Sequence, residues 1–208
     1  MKNRFKLGLV AILVLSGIAR AGDIEVRVLD RKGKPVPDVV VYAPGHADTE
    51  VPEEAAVMDQ VDDAFSPHIL PVQKGVPVRF PNSDPVAHHV YSFSKPNAFS
   101  LPLYKGEEPE PVVFDSEGVV VLGCNIHDNM LGYILVIDSS TYAKTNADGV
   151  ATLAVDAEEV ELRIWSPRIR DKEDVTIRTV SGASQQPVDF ELLKRLRPEH
   201  RQEPWSDY

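Results

Sequence analysis

Seven consecutive residues, Cys124-Asn125-Ile126-His127-Asp128-Asn129-Met130, hold the only cysteine of the chain, with an imidazole and a thioether following at three-residue intervals. A thiolate, an imidazole and a weak thioether make a soft donor set, suited to copper cycling between Cu(I) and Cu(II). The run is rich in turn formers and directly follows the apolar, strand-like Val119-Val120-Val121-Leu122. A second imidazole has to come from another part of the chain, and Ala87-His88-His89-Val90 offers two. Strand alternation allows only one of that pair to face a shared ion. Zinc accepts similar ligands, so the donor types alone leave the metal open.

The surroundings of Cys124 strengthen a metal reading. Lys2, Arg4 and Lys6 precede an apolar run from Leu7 to Ile18, and Ala19-Arg20-Ala21 then supplies small residues at a cleavage position. Residues 1–21 therefore read as a signal peptide and the protein as exported to the periplasm, with no stable membrane span after cleavage. In an oxidising compartment an unpaired cysteine is a liability unless something occupies it. The formal net charge is −10, and loss of the four basic leader residues takes it to −14. Such a balance argues against nucleic acid as a partner. The balance permits electrostatic steering towards a basic partner, and the acidic side chains concentrated at 50–63 and 107–110 read either in that way or as solvated loops.

Nearly every segment able to position these donors reads as strand or turn. Asp23 to Leu29 alternates polar and apolar residues, and a Gly-Lys-Pro turn leads to a second strand over 36–42. Further strands are expected at 69–72, 76–80, 89–93, 111–114, 119–122 and 131–137. Beyond Asn146-Ala147-Asp148-Gly149, a turn, come strands at 150–155, 160–165, 175–180 and 188–192. The one candidate helix is 191–197, closed by Pro198. Short strands separated by turn signals point to an all-β sandwich architecture.

Residues 57–137 resemble the cupredoxins, the type 1 blue copper proteins, most nearly the amicyanin type with its short ligand loop. The likeness rests on Cys124-x-x-His127-x-x-Met130, on Gly132 two residues after the methionine, and on the segment Val72-x-x-Gly75-x-x-Val78-x-Phe80-x-Asn82. His88-His89-Val90 falls six residues after that asparagine, where the family has His-Asn-Val. More narrowly, the phrases His88 to Ser94 and Leu122 to Asp128 resemble periplasmic proteins labelled "methylamine utilization protein". The resemblance implies a Greek-key β-sandwich holding one type 1 copper ion through His88, Cys124, His127 and Met130, with His89 as the alternative to His88. It also implies no catalytic site, and a redox partner protein such as a cytochrome or dehydrogenase. Copper sequestration or delivery is the alternative function.

The flanks, 22–56 and 138–192, resemble the carboxypeptidase regulatory-like β-sandwich cut in two. Neither has enough strands to bury a core alone, so the expectation is one split sandwich with the copper-binding segment inserted in it. Residues 193–208 form a charged tail. His46, His68 and His200 read as loop histidines.

Overall fold

The computed structural model describes residues 22–47, 50–170, 177–182 and 186–199. The leader 1–21, His200 and the rest of the tail lie outside these. The described residues are all-β, as the sequence indicates, and contain no helix. None is therefore long and apolar enough to cross a membrane as a helix.

The chain starts with β1 (Gly22–Leu29) and β2 (Val40–Tyr42). It continues through β3 (Ala56–Val57), β4 (Asp59–Val61), β5 (Ala64–Ser66), β6 (Ile69–Gln73) and β7 (Pro77–Arg79). Then come β8 (Tyr91–Ser92), β9 (Phe99–Ser100), β10 (Val112–Val113), β11 (Gly118–Gly123) and β12 (Leu131–Ile137). The last group is β13 (Tyr142–Lys144), β14 (Val150–Val155), β15 (Glu159–Trp165), β16 (Ile177–Ser181) and β17 (Val188–Glu191).

The first two strands pair with the last group. β1 lies between β14 and β17, while β2 lies between β13 and β15, with β16 at the edge. Period-2 alternation sets the inner faces: Ile24, Val26 and Val28 of β1 meet Leu153 of β14 and Leu162 of β15 in one core. Between β1 and β2 the strand expected over 36–42 shrinks to three residues. Pro35 and Pro37 lack the N–H a ladder needs, and Asp38 takes a positive φ of 54°. Thr145 holds this irregular stretch, donating from Oγ1 to the Val36 carbonyl (2.8 Å) and accepting there from Val39 N–H (2.9 Å).

The middle of the chain builds a five-stranded sheet in the order β6-β12-β11-β8-β9, a smaller sheet β10-β7-β3, and the hairpin β4–β5. Val72, Val78, Phe80, Val120, Leu122 and Ile134 fill the core between them. The turn before β7 is closed by Val76 N–H to the Gln73 carbonyl (3.1 Å), with Gly75 at φ 89°. That conformation suits a residue without Cβ and accounts for the glycine in the Val72–Asn82 motif.

β12 is buried on both faces over its second half. Ile134 and Val136 enter the central core, while Leu135 and Ile137 pack with Val40 and Ile69, against Tyr42, Tyr142 and Trp165. This double burial explains why Leu131 to Ile137 is an apolar run rather than an alternating one. The expected helix at 191–197 does not form. Leu192 N–H instead extends the strand ladder to the Leu29 carbonyl (2.8 Å), and its side chain enters the core. The few residues beyond are too short a run to nucleate a helix. The short strands β3, β4, β5 and β9 have no counterpart in the sequence reading, because two or three residues carry no measurable period.

Gly132 sits where a Cβ would lie 2.8 Å from the Phe65 Cβ, an atom close to the backbone that cannot swing away. Gly132→Ala should therefore destabilise the fold by about 1–3 kcal/mol, read from the midpoint of chemical denaturation of metal-free protein.

Candidate metal centre

Each ligand candidate is placed by a different device. Cys124 follows the last residue of β11 and Met130 precedes the first of β12, so the antiparallel pairing Gly123↔Leu131 closes the base of their loop. Within the loop, Met130 N–H donates to the His127 carbonyl (3.0 Å). His88 comes from the segment after β7. A two-way backbone bridge to Tyr104 holds it: His88 N–H to Tyr104 O (3.1 Å) and Tyr104 N–H to His88 O (3.0 Å). Asn82 fastens the same segment, donating through Nδ2 to the carbonyls of Val86 (2.9 Å) and Tyr104 (3.0 Å).

These constraints bring one donor atom each of His88, Cys124 and His127 within 4.8 Å of one another. His88 Nδ1 lies 3.9 Å from Cys124 Sγ, and the two imidazole centroids are 5.0 Å apart. His88 is fully buried and Cys124 nearly so. Met130 is buried in the same apolar cluster as Cys124. His89 is not in the group: its Nε2 lies 3.1 Å from Ser100 Oγ, and its ring stacks on Tyr91 at 5.4 Å. Met58 lies in the central core, and His68 packs edge-on against Tyr133.

Two observations test whether a metal ion fits. The Nε2 of His88 is 2.7 Å from Asp84 Oδ2. A carboxylate accepts only, so Nε2 carries the proton and Nδ1 offers its lone pair towards the sulfur. His127 Nδ1 is buried without a hydrogen-bond partner. A buried ring nitrogen left unpaired costs about 1–3 kcal/mol unless something fills its valence. An ion shared with Cys124 and His88 would do so, and these residues fit one.

The sequence reading missed the carboxylates around this centre. Asp84 accepts from His88 and also from the backbone N–H groups of Asp62 (2.6 Å) and Asp63 (3.0 Å). Asp62 and Asp63 are the two tip residues of the β4–β5 hairpin, both at positive φ (54° and 57°). That conformation is the one a two-residue hairpin turn requires. The Asp63 carboxylate then reaches the second imidazole, 3.5 Å from His127 Nε2 and 3.9 Å from His88 Nε2. A stretch read as solvated acid therefore caps both histidines. The available signal was Asn82-Ser83-Asp84-Pro85, an Asx-type turn placing a carboxylate four residues before a ligand candidate.

Near His88 a chain of hydrogen bonds links Gln60, Tyr104 and the backbone, leaving Gln60 Oε1 without a partner. Gln60 Nε2 donates to the Pro81 carbonyl (2.9 Å) and to the Tyr104 hydroxyl, which in turn donates to Phe80 O (2.6 Å). Burial pushes the Tyr104 phenol up to about 12, so it stays a neutral donor at any ordinary pH. Against the cysteine strand, the Tyr91 ring lies so close to Gly123 that a Cβ there would stand 2.9 Å from it.

No family model matches the chain, and no curated protein does. Among solved structures it is similar to a copper-containing nitrite reductase from Thermus scotoductus SA-01, at 24% identity and a TM-score of 0.39. That likeness covers 45% of this chain and 25% of the reductase, so this chain spans only a quarter of that protein's length. It is similar to a reduced amicyanin variant at 24% identity and a TM-score of 0.37, over 46% of this chain and 97% of amicyanin. A purple cupredoxin from Nitrosopumilus maritimus is similar at 24% identity and a TM-score of 0.35, over 39% of this chain and 98% of that one.

Replacing Asp84 removes the acceptor for three donors at once. Asp84→Ala should lower the stability of metal-free protein by about 2–4 kcal/mol, seen in denaturation. It should also weaken metal binding by roughly 10- to 100-fold, read by competition with a chelator.

Proposed function

We propose that this is an exported copper protein that carries single electrons between redox partners, with His88, Cys124, His127 and Met130 as its ligands. In this reading residues 57–137 are the copper-binding unit, and 22–56 with 138–192 form a second sandwich carrying it. The observation behind the proposal is the convergence of donor atoms of His88, Cys124 and His127 within 4.8 Å, with His88 Nδ1 3.9 Å from the sulfur and a buried, unpaired Nδ1 on His127.

Copper, when bound, supplies the one-electron couple, and thiolate with two imidazoles and a weak thioether suits both oxidation states. The chain's own part is to hold its donors still. Asp84 fixes the tautomer and orientation of His88, and the paired ends of β11 and β12 fix the loop carrying the other three. Core packing around Cys124 and Met130 keeps bulk water from the sulfur side. His127 is the one nitrogen ligand with a partly exposed side chain, at 16%. It is the natural edge for electron exit, and Ile126 beside it and Val86 on the His88 segment are exposed apolar contacts for a transient partner. Asp63 stands at that edge, so its charge favours the oxidised site.

Protein recovered with copper should absorb intensely in the visible through thiolate-to-copper charge transfer, and Cys124→Ser should abolish the band. His88→Ala should destroy that colour, whereas His89→Ala should leave it largely intact. A colourless adduct with very tight Cu(I) binding and slow cycling would instead support sequestration or delivery. Asp63→Asn keeps a residue type tolerant of positive φ but deletes the charge. A partly exposed carboxylate across one imidazole is worth on the order of 1 kcal/mol, so cyclic voltammetry should show the potential rising by roughly 40 mV.

A further inference from the structure

The acidic character of this protein is not uniform. A hollow of about 730 Å³ at the rim of the sandwich built from the two ends of the chain gathers eight of its 22 lysines and arginines. Arg31, Lys32 and Lys34 reach it from the turn after β1, and Arg168 and Arg170 from the segment after β15. Lys194, Arg195 and Arg197 reach it from the segment after β17. Among the described residues the only carboxylate in its lining is Asp30, whose Oδ1 is already taken by the backbone N–H groups of Lys32 (2.7 Å) and Lys34 (2.9 Å).

Among the described residues, Arg31, Lys32, Lys34, Arg168, Arg170, Arg195 and Arg197 form no ion pair. Other cations of the chain do find partners: Arg27 pairs with Asp189, Arg79 with Glu108, and Arg163 with Glu161. Eight cations line one hollow, so their repulsion and their pull on an anion both add. Two of the arginines are tied to main chain. Arg168 Nε donates to the Arg197 carbonyl (3.4 Å), Arg197 Nη1 donates to the Pro167 carbonyl (3.3 Å), and Arg197 N–H donates to Arg168 O (2.8 Å). Such tethering reduces the entropy lost when a ligand arrives.

We propose that this hollow is a binding site for a small polyanion carrying two or more phosphate groups, either a free solute or a lipid headgroup. Five of the eight cations are arginines, whose planar forks match phosphate oxygens two at a time. The volume lies in the range of small-ligand pockets. The site has no part in the copper reading and stands or falls separately from it.

The test titrates the full chain with tripolyphosphate by calorimetry and, in parallel, floats it with vesicles of cardiolipin, whose headgroup carries two phosphates, in phosphatidylcholine. Saturable binding to tripolyphosphate identifies a free solute, and binding to vesicles alone identifies a headgroup; either supports the site. Arg31→Gln/Lys32→Gln/Lys34→Gln, which leaves Asp30 and Gly33 in the turn, should weaken binding at least tenfold, as should Arg195→Gln combined with Arg170→Gln. Arg79→Gln, an exposed arginine of β7, should change nothing. No saturable binding to either probe would overturn the proposal, as would equal losses in the hollow variants and the Arg79 control. Tighter binding of a glutamate-rich peptide than of tripolyphosphate would overturn the assignment to phosphate.

Discussion

The hydrogen bonding of the Asp84 carboxylate is the interaction on which the geometry of the candidate metal centre depends. The carboxylate takes hydrogens from two backbone amides at one hairpin tip and from the buried imidazole of His88. Nearly buried itself, it would be costly to leave unmatched. Three donors around one anion convert that cost into a fixed relation between the β4–β5 hairpin and the segment carrying His88. The position of Asp63 over His127 follows, because the amides that bind Asp84 belong to the hairpin tip from which Asp63 projects.

The opposite wall of the centre is set by packing. β12 emerges directly from the ligand loop and is gripped on both faces over its second half, by the central core and by the layer containing Val40 and Ile69. Tyr133 on the same strand meets Trp165 edge to face at 6.0 Å. Lys144 adds a polar tie across that layer, donating from Nζ to the Ile69 carbonyl (3.0 Å). The loop end at Met130 is thereby anchored to far more protein than the central sheets alone provide. Rigid supports of this sort let donor atoms stay put while charge changes.

The sequence was most readable where physics acts over short distances. The strands β1, β14 and β15 alternate cleanly because one face of each is wet, and the donor spacing from Cys124 to Met130 is a local property of one loop. It was unreadable where contacts are long-range or runs are short. The stretch from Glu50 to Asp63 looks like solvated acid because its pairing is with Asn82, Ser83 and Asp84, some 20 residues downstream. Alternation said only that His88 and His89 could not both face one ion, and the preference for His88 came from the match to the family's His-Asn-Val, whereas in the structure Asp84 and Ser100 hold the two rings apart. The helix expected at 191–197 failed because Leu192 has a better use as an extended residue sealing the core against Leu29.

β2 and β13 are antiparallel neighbours, Tyr42 opposite Tyr142, yet about a hundred residues separate them. Topologically they are the two arms of a hairpin whose loop contains every donor of the candidate metal centre. The entry and exit of that loop touch: Gly45 N–H donates to the Asp138 carbonyl (2.9 Å) and Ser140 N–H to the His46 carbonyl (3.0 Å). Closing so long an excursion costs the hairpin only roughly 3 kcal/mol more than a four-residue turn would. The segment between the two strands can therefore change in length with little entropic consequence for the pairing that frames it.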